Sequence, residues 1–268
     1  MKIRPLLLLV LLLNAGLSFS QTENTGFRTK EIFKTAEARQ GVAVDDKYFY
    51  TVNSTGIGKY NKETGSMVIS WKDTTGKIIH LDGGVVIKDK LCCAHSNYPG
   101  IPMRSSIEIF STKDLKHTSS HSFGINYGSC TWADFYDNSW WVCFAHYDQF
   151  KKEINKGTES TILVRFDSDW HEKESWTFPQ SIISEVKPMS VSGGSWGADG
   201  KLYVTGHDSA KVYILKLPRS GQVLEYLQSV KIDSRGQGIA WDRTEKDKLY
   251  GIIRKDNSVV VSELEKVK

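Results

Sequence analysis

The chain repeats one plan five times, and repetition at a fixed period of this length restricts a fold more than any local motif. Each repeat opens on Gly with small and apolar residues, turns through a polar segment containing Asp, and returns along an apolar run ending in a polar residue. The five read QGVAVDDKYFYTVNS from Gln40, DGGVVIKDKLCCAHSN from Asp82, GSCTWADFYDNSWWVCFAHYD from Gly128, SGGSWGADGKLYVTGHD from Ser192 and QGIAWDRTEKDKLYGIIRKDN from Gln237. They recur about every 42 to 46 residues, apart from one wider gap that the polar insertion Asp148 to Ser160 accounts for. That period is the length of a four-stranded antiparallel sheet stacked radially on its neighbours.

Two more strands follow each pair. The third strands are GIGKY from Gly56, SIEIF from Ser106, TILVRF from Thr161, KVYILKL from Lys211 and SVVVSEL from Ser258. Fourth strands follow four of them: MVISW from Met67, HTSSHSF from His117, ESWTF from Glu174 and VLEYLQSVKI from Val223. All are short, rich in β-branched and aromatic residues, and bounded by turn residues. Helix-length periodicity is absent after the amino terminus. The fifth repeat has no fourth strand of its own, while RTKEIFKT at Arg28 to Thr35 belongs to no repeat. The second leftover can supply the first and remove an open sheet edge. The pattern predicts an all-β, five-bladed β-propeller whose N-terminal strand closes the last blade.

Residues 1–20 read as an address: Lys2 and Arg4, an apolar run from Leu6 to Leu13, then Ser18 and Ser20 before Gln21. The run is too short to span a bilayer, and the small-residue exit fits a cleaved signal peptide. A periplasmic or secreted protein with no membrane span is expected, residues 21–268 forming a single propeller domain, a monomer. The formal charge of +4 includes Lys2 and Arg4, so the remainder is close to balanced. Scattered lysines and strand-borne aromatics exclude a nucleic-acid footprint. Cys92, Cys93, Cys130 and Cys143 lie inside apolar runs and read as buried thiols.

In a propeller blade the first strand crosses the disc and the second returns, so the start of one and the end of the other share a face near the axis. Second strands end at Asn53, His95, His146, His207 and, approximately, Arg254; first strands are entered at Gln40, His80 with Asp82, Ser129, Ser192 and Gln237. Four of seven histidines thus gather at one mouth. His80, His95, His146 and His207, with Gln237, are the expected ligands of a divalent metal ion, Mn, Zn, Fe or Ni, since neutral imidazole suits these ions. Asp82, Asp148 and Asp208 stand beside the histidines and can fix their tautomers. Arg254 and Tyr147 are the expected catalytic pair, one steadying negative charge and one moving a proton once a metal lowers its pKa. Gln40, Asn97, Arg104 and Asp208 are the expected substrate contacts. The connections SNYPGIPMRSS and DQFKKEINKGTES are long enough to wall the mouth. Trp132, Trp196 and Trp241 read as packing between blades. A His-Asp pair at a repeat end also serves propellers as a purely structural tie.

With those residues the mouth resembles, in site design, the oligogalacturonate-lyase-type propellers, a seven-bladed family. The resemblance implies a divalent cation held by three His and a Gln, and cleavage of uronic sugars by β-elimination. A metal-dependent carbohydrate-active enzyme, a lyase acting on a sugar acid or oxidised sugar, is the expectation, with a small-molecule or oligosaccharide ligand. A metal-dependent hydrolase and a non-catalytic sugar- or protein-binding propeller are the alternatives. There is no Walker loop, HExxH or CxxC to point elsewhere.

Overall fold

The computed structural model describes residues 25–150 and 156–266; the proposed leader, residues 1–20, lies outside them. Five four-stranded antiparallel sheets are arranged as the blades of a propeller. Blade 1 holds β2 (Gly41–Val44), β3 (Tyr48–Asn53), β4 (Gly56–Asn61) and β5 (Met67–Lys72). Blade 2 holds β6 (His80–Ile87), β7 (Lys90–Ser96), β8 (Ser105–Ser111) and β9 (His117–Gly124). Blade 3 holds β10 (Ser129–Tyr136), β11 (Ser139–Ala145), β12 (Ile162–Phe166) and β13 (Glu172–Thr177). Blade 4 holds β14 (Gly193–Trp196), β15 (Leu202–Thr205), β16 (Lys211–Lys216) and β17 (Glu225–Lys231). Blade 5 joins β18 (Ala240–Trp241), β19 (Lys248–Ile253) and β20 (Ser258–Lys266) to β1 (Thr25–Lys34), which pairs antiparallel with β20. Both ends of the chain therefore meet in one sheet.

The core is divided among the interfaces between blades. On β2, Ala43 packs with Leu81, Leu91 and Phe110 of blade 2, while Val42 and Val44 pack with Tyr250, Val259 and Val261 of blade 5. Successive side chains on a strand point to opposite faces, so one alternating strand feeds two cores. Trp132, Trp141 and Cys143 meet Trp196, Val204 and Tyr213 between blades 3 and 4. Trp241 and Leu249 meet Tyr203 and Val212 between blades 4 and 5. Cys92 and Ala94 meet Cys130, Val142 and Phe144 between blades 2 and 3. All four cysteines are free and buried. Polar ties join blades too: Asp134 of blade 3 accepts from the Trp196 amide at 2.7 Å and from Arg243 Nη2 at 2.8 Å.

One element escaped the periodicity analysis. Residues Gln180–Val186 form a two-turn helix, α1, between blades 3 and 4, burying Ile182, Ile183 and Val186. Seven residues are too few for a window that detects 3.6-residue periodicity. No helix among the described residues is long and apolar enough to cross a membrane.

The inner strands touch at the axis. A Cβ on Gly41 would come within 2.9 Å of the Gly83 Cα, and one on Gly238 within 2.8 Å of the Gly41 Cα. Only residues without a side chain allow this approach. The convergence splits the axial channel into a pocket on one face and a cavity of about 20 Å³ on the other, beside Asp134 and Arg243.

Candidate functional site

Above that constriction lies a pocket of about 150 Å³ whose lining includes one polar residue from, or just before, the inner strand of each blade: Gln40, Asp82, Thr131, Ser192 and Gln237. Each directly precedes a residue packed at the axis: Gly41, Gly83, Trp132, Gly193 or Gly238. The repeat therefore delivers a polar ring; His80 at the start of β6 and Tyr98, Tyr147, Met189, His207 and Arg254 from connections make the walls. Gln237 holds φ at 63°, in the left-handed region that a side chain disfavours, as residues at working sites often do.

Most polar atoms of the ring are tied to the protein. Gln237 Nε2 donates to the His207 carbonyl at 3.0 Å, and Thr131 Oγ1 to the Val191 carbonyl at 2.9 Å. Ser192 Oγ donates to the Ser190 carbonyl at 3.2 Å. Gln40 Nε2 donates to Ser54 Oγ at 3.0 Å, which directs the Ser54 hydroxyl proton to His80 Nδ1, 3.2 Å away. The His80 ring proton then sits on Nε2, 3.5 Å from Asp82 Oδ2. Asp82 is 4% exposed.

Burial pushes the Asp82 carboxyl well above the usual carboxylate range, against the opposing pull of Arg254. Burial lowers the His80 pKa to about 4, helped by the positive charges of His95 and Arg254, so the ring is neutral at physiological pH. Burial and the Asp82 charge push the Tyr147 phenol upward. Tyr147 therefore keeps its proton in this pocket and is an acid. Tyr98 packs on His80 with ring centroids 4.9 Å apart and edge-on to Tyr147 at 5.2 Å.

The structure brings Gln40, His80, Tyr147, His207, Gln237 and Arg254 of the expected set together, and sets His95, His146, Asn97 and Arg104 apart. His95 Nε2 accepts from the Ile79 amide at 3.1 Å, and its Nδ1 donates to Ser106 Oγ at 2.9 Å. Beyond Ser106 stands the buried Glu108, which also binds His117 at 2.7 Å. His146 is buried behind Gly128 and gives its Nε2 proton to the Tyr127 carbonyl at 3.0 Å. Asn97 braces its own loop, Oδ1 accepting from the Arg104 amide at 2.7 Å, and Arg104 is exposed. Asp208 stands at the rim, its carboxylate bonded to His207 Nδ1.

The reason lies in strand register. The first strands of blades 2 and 3 carry bulges, between Leu81 and Gly84 and between Cys130 and Trp132. β7 stays paired as far as Ser96, so His95 lies inside the ladder, whereas β15 pairs only to Thr205 and His207 projects two residues beyond it. Equal positions in the repeat thus point differently. The same bulge puts Thr131, not Ser129, in the polar ring.

Sequence reasoning gave Asp82 a supporting part only. Its signal was a lone acid in the glycine-rich DGG entry, where other repeats carry Gln or Ser.

Among the described residues, a group able to hold a metal ion is Asp167, Asp169 and His171, with ligand atoms within 4.8 Å of one another. It lies on the exposed β12–β13 turn, where Lys173 already binds Asp167 at 2.8 Å. In the pocket each histidine lone pair meets a donor: Ser54 at His80, and Arg254 Nη1, 2.9 Å away, at His207. A larger groove of about 510 Å³ runs between blades 4 and 5 on the opposite face. Its charged groups are largely satisfied, Asp199 by Tyr203 and Lys201, and Arg243 by Asp134.

The chain matches no protein-family model and no curated protein. Among solved structures it is similar to the glutaminyl cyclase of Myxococcus xanthus, with a TM-score of 0.63 and 10% identity, covering 92% of this chain and 100% of that one. It is also similar to XC5397, a gluconolactonase from Xanthomonas campestris, with a TM-score of 0.50 and 10% identity, covering 84% of this chain and 71% of the other. Likeness at this identity shows a shared propeller fold.

Proposed function

We propose that the protein is an enzyme whose axial pocket moves a proton on a small, oxygen-rich molecule, with Asp82 as the group that takes it. The observation that carries this is a carboxyl 4% exposed in the wall of a cavity, its proton affinity raised by burial, with a neutral imidazole 3.5 Å away. A buried acid beside a cavity is an arrangement suited to acid–base chemistry near neutral pH. Two propellers of similar architecture bear the names of enzymes, a glutaminyl cyclase and a gluconolactonase, which supports catalysis over simple binding.

The reaction we assign is β-elimination from a sugar acid. The ionised Asp82 takes the proton from the carbon next to the carboxylate, and that C–H electron pair becomes the new C=C bond. The C–O bond at the neighbouring carbon breaks, the departing oxygen takes the Tyr147 proton, and the proton on Asp82 passes through water entering at the mouth to the Tyr147 phenolate, which resets both groups. Arg254 offsets charge building on the carboxylate oxygens. His80, neutral and oriented through Ser54, holds Asp82 in place. The site works outside the cytoplasm in a monomer freed of residues 1–20; a mature amino terminus at Gln21 tests this.

The functional test is incubation with galacturonate oligomers, following the ultraviolet absorbance of the conjugated product. Absorbance should grow, and Asp82→Asn should slow it by about 10²- to 10⁴-fold. Oxygen incorporated from labelled water, without that absorbance, would replace the lyase with a hydrolase. Sugar binding without turnover would leave a binding propeller. Elemental analysis, with His80→Ala alongside, tests the divalent metal expected from the histidines. Stoichiometric metal lost in that variant would put metal chemistry at the pocket in place of this acid–base scheme.

A further inference from the structure

Arg254 presents a charge that makes no direct ion pair among the described residues. The residue is half-buried at the pocket wall, and among the described residues no carboxylate oxygen lies within 4.0 Å of its guanidinium. Among the described residues its one side-chain hydrogen bond, from Nη1 to His207 Nε2 at 2.9 Å, goes to a neutral acceptor. Asp208 fixes that acceptor: its carboxylate binds Nδ1, so the ring proton stays there and the Nε2 lone pair faces Arg254. A partly desolvated cation without a counter-ion is costly, and a ligand anion relieves the cost. The planar guanidinium retains further N–H donors in a fork that matches a carboxylate.

The pocket is also blind. Gly41, Gly83 and Gly238 close it below, so a ligand enters and leaves by the same mouth. Its volume of about 150 Å³ is that of a cavity that holds a six-membered ring. A chain cannot thread through; one end unit can enter. Gln40, Thr131, Ser192 and Gln237 offer oxygen atoms around that unit.

We propose that the pocket reads one terminal or free unit bearing a carboxylate, that Arg254 is the anchor for the carboxylate, and that Asp208 and His207 are positioning residues that aim the guanidinium. The proposal rests on the reading above in using the same pocket and in setting Arg254 against the ligand carboxylate. A uronic sugar and the end residue of a peptide share this chemistry, and the assay separates them.

The experiment is calorimetric titration of the full chain with two pairs of probes, D-galacturonate against its primary amide, and N-acetylglycine against its primary amide. For one pair the carboxylate should bind at least tenfold more tightly than the amide, and the pair that shows this names the source. Arg254→Gln should bring acid and amide level, while Arg254→Lys, which keeps the charge and loses the fork, should keep part of the preference. His207→Leu should weaken carboxylate binding several-fold, and His207→Gln, whose side-chain oxygen can accept from the guanidinium, should restore most of it. Equal binding of acid and amide in both pairs, no binding of any probe, or a preference that survives in Arg254→Gln overturns the proposal. Asp82→Asn separates the two readings. A carboxylate preference retained there with turnover lost supports both; a preference retained with turnover intact sinks the acid–base assignment and leaves the anchor standing.

Discussion

A carboxyl held out of water is costly to ionise and binds its proton more tightly. For Asp82 burial outweighs the pull of Arg254, and the sign of its effect on stability follows. Below the ordinary carboxylate pKa of about 3.9 both folded and unfolded chains hold the proton. As pH rises the unfolded chain releases it first, so the stability linked to Asp82 is lost as pH climbs through the raised folded value. His80 has the opposite sign. Its folded pKa of about 4 lies below the unfolded value of about 6.5, so its contribution is present above pH 6.5 and is lost as pH falls toward 4. Asp82→Asn should therefore leave Tm unchanged near pH 4 and raise it increasingly above that. Each pKa unit removed is worth about 1.4 kcal/mol, or about 2–4 °C in a chain of this size. Thermal melts from acid to alkaline pH check this, and a gain independent of pH would show that Asp82 is not held protonated.

Between residue and fold stand the strand ends. Three histidines share a place in the repeat, yet only His207 reaches the pocket, because bulges and unequal pairing lengths set where each second strand stops. His95 is spent inside blade 2, tying the Ile79 amide to Ser106 and through it to Glu108. His95→Ala should cost about 1–3 kcal/mol in urea unfolding, the toll of stranding buried polar groups. Turnover and carboxylate binding should be those of the native chain. A tenfold loss of turnover at unchanged stability would return His95 to the site. The connections behave differently from the strands: the loop after β7 brings Tyr98 to the pocket, while Asn97 and Arg104, two of its polar residues, fasten the loop or face solvent.

At the scale of the whole molecule, the ring is held shut where its ends meet. β1 covers β20 from Thr25↔Lys266 to Lys34↔Ser258. Across the same junction Lys62 of blade 1 pairs with the buried Asp242 of blade 5 and with Glu245 at 2.9 Å. Removing residues 25–34 would bare the β20 edge and uncover Phe49, on which Phe33 stacks at 5.2 Å. The truncated chain should melt at lower temperature and form oligomers on size-exclusion chromatography. A monomer with the native Tm would show that the junction does not depend on β1.

The sequence by itself determined the number of blades, the four strands of each, and the pairing of the first strand with the last. Strand period and turn chemistry are local properties that repetition makes legible five times over. It also determined which face carries the polar ring, since a residue before an axial glycine must open toward the mouth. Tertiary structure decided which side chains enter the pocket. A one-residue bulge leaves no mark in a hydrophobic pattern, yet it reverses the direction of every side chain beyond it. Burial made the rest: the proton affinities of Asp82, His80 and Tyr147 depend on how much water the neighbouring blades exclude, and no stretch of sequence states that alone.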